Sequence, residues 1–92
     1  KIVILEYGGE LSISSELSNE LSFYHHDKLV VVIYKKGILS NISIRGKNAK
    51  KILEKILKDL KDASGGGHEE AVGARIKTED LAKFKKALEE SV

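Results

Sequence analysis

The 92 residues include no cysteine, proline, methionine or tryptophan. Without cysteine there is no disulfide framework, no thiolate zinc site and no cysteine nucleophile. A translation product begins with methionine, whereas this chain begins with Lys1 inside the apolar run Ile2, Val3, Ile4, Leu5. The sequence therefore reads as a piece of a longer protein. Glutamine is also absent, and asparagine occurs only at positions 19, 41 and 48. That scarcity beside abundant Lys and Glu resembles the composition of proteins from hot-growing organisms. The longest apolar run, 29–34, is far short of the ~20 residues a membrane-crossing helix needs. With no membrane span and no visible targeting segment, a cytoplasmic location is the expectation. Aromatic residues are 5% of the chain (Tyr7, Phe23, Tyr24, Tyr34, Phe84), few for stacking bases. Contact with a nucleic-acid strand would then rest on phosphates, and so on salt.

What is present fits one folded domain. Hydrophobic residues at 41% and charged residues at 33% argue against disorder, and a chain of this length buries a modest core. The formal charge of +2 permits an anionic ligand without demanding one.

Residues 1–7 are apolar and β-branched and end at Gly8-Gly9, which predicts a strand buried on both faces. Ser14 or Ser15 caps a helix with Glu16 in its first turn and Leu17, Leu21 and Tyr24 on its apolar face. Residues 29–35 and 38–45 read as an antiparallel hairpin turned at Gly37. In the second of these, Ser40, Ile42 and Ile44 alternate with Asn41, Ser43 and Arg45. Residues 48–60 carry a strong helical apolar pattern whose opposite face holds lysines, and 72–77 forms a short strand. Thr78 caps a last helix bearing Leu81, Phe84 and Leu88. The expected fold is α/β (α+β), a small mixed sheet of about four to five strands packed by three helices.

The chemistry concentrates at Ser64-Gly65-Gly66-Gly67-His68. Three consecutive glycines free the backbone to take φ > 0 and let an anion approach its amides. A histidine just after them can donate a hydrogen bond to a phosphate oxygen. Glycine count alone fits a flexible loop equally well, and a linker is a further reading, although too few residues follow to form a domain. Neither a Walker loop nor a dinucleotide fingerprint is present, because the flanking residues and the position are wrong for both. Arg45, at a strand end, is one of only two arginines in a chain that otherwise uses lysine. Its guanidinium fork suits phosphate, although a plain surface charge is the simpler alternative.

Residues 65–76 resemble the Gly-Gly-His-x-x-Ala-Ala-Gly motif of the DHH-associated domain found at the end of DHH-superfamily phosphoesterases, such as RecJ-type single-strand exonucleases and oligoribonucleases. Gly66, Gly67, His68, Ala71 and Gly73 match, while Val72 stands where a second alanine is usual. Ser43 and Arg45 also resemble the family's Ser-x-Arg-Ser strand end, with Gly46 in place of the second serine. The resemblance implies that residues 1–92 are a single substrate-binding domain. A metal-binding DHH domain carrying manganese or magnesium would lie N-terminal to it, outside this chain. It further implies that Ser43, Arg45, Gly65, Gly66, Gly67 and His68 contact the phosphate of a single-stranded nucleic acid or short oligonucleotide.

The parent protein would then be a hydrolase, and this chain alone would not. Its few aspartates and three histidines cannot supply a two-metal centre. His25-His26-Asp27 runs opposite to the Asp-His-His motif and sits at an expected helix end, where histidines meet the dipole. Two other functions stand beside this one. The first is the tRNA-binding C-terminal domain of an alanyl-tRNA synthetase. The second is a module for homodimerisation or docking built on Leu81, Phe84 and Leu88, a stripe that also suits the core. Lys47, Lys50 and Lys51 either track a strand's backbone or form a solvated helix face.

Overall fold

A computed structural model describes residues 1–92. The strands are β1 (Ile2–Gly8), β2 (Leu29–Lys36), β3 (Leu39–Arg45), β4 (Ser64–His68) and β5 (Ala71–Lys77). The helices are α1 (Ser14–Tyr24), α2 (Ala49–Leu57) and α3 (Leu81–Glu90), the last preceded by a 3-10 turn over Thr78–Asp80. All five strands join one sheet in the order β1-β2-β3-β5-β4. Only β1 and β2 are parallel, because α1 carries the chain back over the sheet between them. The mixed sheet with three helices is the architecture expected, at the upper end of the strand count.

β2 lies inside the sheet, and its residues from Leu29 to Tyr34 are all buried. Their side chains alternate between faces. Leu29, Val31 and Ile33 join Ile42, Ile44, Val72 and Ile76 beneath α2 and α3, where Leu53, Phe84 and Leu88 complete the core. On the other face α1 packs against β2 and β3. No helix is long and apolar enough to cross a membrane.

Several local expectations change. β1 is an edge strand, paired only with β2, and its residues are half-buried or exposed rather than enclosed. The glycine run is strand β4, hairpinned to β5 through Glu69 and Glu70, and not a loop. Ile13, rather than Ser14 or Ser15, holds the N-cap position of α1, and it caps with no side chain. The Ser14 hydroxyl lies 2.7 Å from the Tyr7 hydroxyl, which also accepts the Ile13 amide at 2.9 Å. Tyr24 is 69% exposed, and the fully buried residue of α1 is Ser18. α2 ends at Leu57, short of the predicted position 60. Thr78 does not cap α3, since its hydroxyl donates to the Gly37 carbonyl at 2.9 Å and lies 2.8 Å from Ser40 Oγ. It thereby fastens the β2–β3 turn to the end of β5.

Candidate nucleic-acid interface

Strand alternation assembles the site. In register across β3, β5 and β4, Arg45 faces Ala71 and then His68, Ser43 faces Gly73 and then Gly66, and Asn41 faces Arg75 and then Ser64. Each row lies two residues from the next, so all nine positions share one face. That face is opposite to Ile42, Ile44, Val72 and Ile76 of the core. α1 covers only its β2 and β3 side, while the helix packed on β4 and β5 is α2, from the core side. The result is a bare strip of sheet bordered by the first turn of α1.

A groove of about 340 Å³ runs along this border, lined by Ser12, Ser14, Ser15, Asn41, Ser43 and Arg45. Gly73 and its neighbours in β5 form the other wall. The first-turn amides of α1 have no intrahelical acceptor and carry the positive end of the helix dipole. Arg45 also borders a second cleft of about 500 Å³ with His26, Asp27, Lys47 and Glu70, so it stands between two openings.

A directed chain of hydrogen bonds holds Arg45. Its Nη1 donates to Ser43 Oγ at 3.0 Å and to the Ile44 carbonyl at 3.3 Å. Ser43 Oγ and Ser18 Oγ are 3.0 Å apart. Ser18 gives its proton to the helix carbonyls of Ser14 and Ser15, so the Ser43 proton must go to Ser18. The guanidinium is thereby tied through two hydroxyls to α1. Backbone bonds hold the opposite side. The Gly46 amide donates to the Glu70 carbonyl at 2.9 Å and the Lys50 amide to Glu69 at 3.1 Å. The β4–β5 turn thus caps α2, which has no side-chain cap of its own, and fixes His68 relative to Arg45.

The glycines are not equivalent. A Cβ on Gly67 would lie 2.4 Å from the Ala71 carbonyl oxygen, and Gly67 has φ +149°. A Cβ on Gly65 would lie 2.6 Å from the Gly73 carbonyl oxygen. Both let β4 close on β5. A Cβ on Gly66 meets nothing within 4 Å, so packing gives no reason for glycine there. Gly66 and Gly73 leave the middle row flat beyond Ser43.

Against known sequences, the chain matches the family described as the DHHA1 domain over residues 1–92. The chain belongs to the DHHA1 family. Its fold is shared by the C-Ala domain from Aquifex aeolicus alanyl-tRNA synthetase, at TM-score 0.75 and 22% identity. That alignment covers 97% of this chain and 86% of the other. It is shared also by RecJ in complex with Mn2+ from Thermus thermophilus, at TM-score 0.68 and 16% identity. There 96% of this chain aligns with only 13% of the RecJ chain. No curated protein matches.

In this DHHA1 domain, Ser43, Arg45, Gly66 and His68 come together on the bare face, while Gly65 and Gly67 act in strand packing. Sequence reasoning missed Ser18, Asn41, Arg75 and the serines before and within α1. For Asn41 the signal was its alternation with Ile42, and for Ser18 it was a serine four residues after Ser14 on a helix that has to meet the sheet. His25, His26 and Asp27 lie at the C-terminal end of α1, and only His26 and Asp27 border a cleft with Arg45. No group of three or more His, Asp or Glu side chains is placed to hold a metal ion. Lys47, Lys50 and Lys51 line a cleft shared with Glu54, Glu69 and Glu70, a mixed rather than a basic surface. Leu81, Phe84 and Leu88 are buried, so that stripe is not free to dock a partner.

At the rim, burial pushes the Tyr7 pKa up, but hydrogen bonding with Ser12, Ser14 and the Ile13 amide outweighs it, and the net shift is downward. Lys77 is raised, first by its hydrogen bond to Asp62 and then by the charges of Asp62 and Glu79.

Proposed function

We propose that this domain binds the phosphate backbone of a single-stranded nucleic acid across the bare face. Arg45 and His68 flank Ala71 as the phosphate-contacting pair, and Ser43 orients Arg45. The observation carrying this reading is the register that puts the Arg45–Ala71–His68 row beside the flat Ser43–Gly73–Gly66 row. Strands lie ~4.8 Å apart, so Arg45 and His68 bracket a gap of ~10 Å that two long side chains can close on one phosphate. A guanidinium with no carboxylate partner keeps its donors for that oxygen group.

In this reading residues 1–92 are the substrate-holding domain of a RecJ-like, cytoplasmic metal-dependent phosphodiesterase. The domain delivers the strand to a manganese- or magnesium-bearing DHH domain elsewhere in the parent protein and cleaves nothing itself. The alternative is a tRNA-binding domain of an alanyl-tRNA synthetase, favoured by the higher likeness and fuller coverage of the C-Ala domain.

An NMR titration with a 5′-phosphorylated single strand at low and moderate salt tests the reading. The amides of Gly66, His68, Ala71 and Gly73 should shift. Arg45→Ala should weaken binding about ten- to hundred-fold, the scale of a charge-assisted hydrogen bond. Shifts confined to α2 or α3 would reject the site. Tight binding of tRNA with no response to the single strand would favour the alternative.

A further inference from the structure

Both arginines of the chain lie on the bare face, whereas its fourteen other Lys and Arg residues are all lysine. Arg45 has a place in the reading above, and Arg75 has none. Arg75 stands opposite Asn41, four residues along β3 from Arg45. At ~3.3 Å per strand residue the two arginine rows are ~13 Å apart. The sheet positions between them are Ser43, Gly73 and Gly66, none larger than a hydroxymethyl group, with the first-turn serines of α1 bordering them on the β3 side.

Arg75 is exposed, and its one side-chain bond is from Nε to Asn41 Oδ1 at 3.3 Å. That bond uses Nε and leaves Nη1 and Nη2 without a partner in the protein. None of the four ion pairs in the structure involves an arginine. Two residues further along β5 the pattern ends, because Lys77 is paired with Asp62 at 3.2 Å and with Glu79 at 4.0 Å. The unpaired positive charge of the strip therefore begins at Arg45 and stops at Arg75.

We propose that Arg75, oriented by Asn41, is a second phosphate-binding point, so that the face takes a strand with two backbone phosphates ~13 Å apart rather than a mononucleotide. This rests on the phosphate-binding reading of Arg45 and His68 and extends it to a minimum ligand length. A single phosphate cannot touch both ends of that span. Arginine supplies a bidentate fork that lysine cannot, which accounts for its use at these two positions in a lysine-rich chain. The flat middle row lets the intervening sugar and base pass without a side chain in the way.

The test is an affinity series on the 92-residue chain with thymidine 5′-monophosphate and 5′-phosphorylated oligothymidylates of two, three, four and six nucleotides. Oligodeoxyadenylates of the same lengths form a second set. Wild type, Arg45→Ala, Arg75→Ala, Arg75→Lys and Asn41→Ala are compared, with thermal melts to verify folding. Affinity for wild type should rise once the strand reaches both points. Arg75→Ala should bind the mononucleotide as wild type does and lose about ten-fold on the longer strands, with the salt slope shallower by ~0.7 for the one lost phosphate contact. Arg75→Lys should recover part of the loss, and Asn41→Ala should show a smaller, length-dependent one.

No loss at any length, or an equal loss on the mononucleotide, would overturn the second point while leaving Arg45 in place. A loss that differs between thymine and adenine strands would also overturn it, making Arg75 a reader of base edges. If wild type binds none of these ligands, or if Arg45→Ala changes nothing, the underlying reading fails as well.

Discussion

Along β3, neighbouring residues serve opposite ends. Ile42 and Ile44 point under α2 and α3 and are 3% and 0% exposed, while Asn41, Ser43 and Arg45 point the other way and are only half-buried. The packed face is closed by leucine, isoleucine, valine, one alanine and one phenylalanine, with no charged group inside it. The bare face is polar, contains small residues where side chains would block it, and holds its one half-buried arginine by hydroxyls instead of a carboxylate. Burial explains the apolar residues of the first face, and the contact with Thr78 explains its one buried polar residue, Ser40. Burial explains few of the second, and the unexplained part is where a ligand is to be sought.

The sharpest way to break the comparison is to cut each face once. Phe84 is fully buried in the core, and Phe84→Ala should cost about 3–5 kcal/mol, a large share of the ~5–15 kcal/mol total of a small domain. Urea denaturation should show a reduced midpoint or an unfolded chain. Arg45→Ala should change the unfolding free energy by under about 1 kcal/mol while it weakens strand binding. Equal losses of stability from the two changes would make the bare face structural.

The three glycines of β4 sharpen the same contrast within five residues. Gly67→Ala puts a Cβ against the Ala71 carbonyl at positive φ and should cost about 1–3 kcal/mol. Gly65→Ala should be unfavourable as well, since its obstacle is the backbone of Gly73. Gly66→Ala has open space and should leave stability unchanged or raise it by up to about 1 kcal/mol through the unfolded chain. The cost of Gly66→Ala should appear in ligand affinity. Thermal melts showing all three equally tolerated would return the run to a permissive connector.

The division into two faces was legible because it is a period-of-two pattern. Ser40-Ile42-Ile44 against Asn41-Ser43-Arg45 marks which residues meet a helix and which do not, and the hairpin turn at Gly37 fixes their partners. The glycine run was misread because residues without side chains carry no such pattern. Only its pairing with Val72, Gly73 and Ala74, a contact with no sequence signature, makes it a strand. β1 was misread for the opposite reason, since a continuous apolar run looks central wherever it sits, and edge position is set by topology. Arg45 and His68 could be named from the residues, but their shared row with Ala71 required the register of two hairpins. Ser18 was hidden because a serine on an amphipathic helix looks solvated until the hydroxyl it meets, that of Ser43, is known.

The smallest expected effect tests the packed face at its edge. Glu6 of β1 has Lys85 of α3 donating to its Oε2 and Lys35 Nζ 3.8 Å from Oε1, which ties the edge strand to the last helix. Its carboxyl is held below its ordinary value of 4.5, first by the hydrogen bond from Lys85, against burial that pushes it up, and then by the charges of Lys85 and Lys35. A carboxyl whose pKa falls on folding stabilises the fold above its unfolded value, and the contribution is lost as pH falls through the folded value. The loss therefore begins near pH 4.5 and is complete below the depressed value. Solvent reaches this pair, so its size should be under about 1 kcal/mol and shrink in salt. Thermal melts of wild type and Glu6→Gln should differ at neutral pH and converge in acid. A constant gap across that range would mean that Glu6 contributes through packing. Because the pair lies on the core side of β1, hydrogen exchange at low pH should loosen α3 first and leave the β3–β5 strip protected until global unfolding.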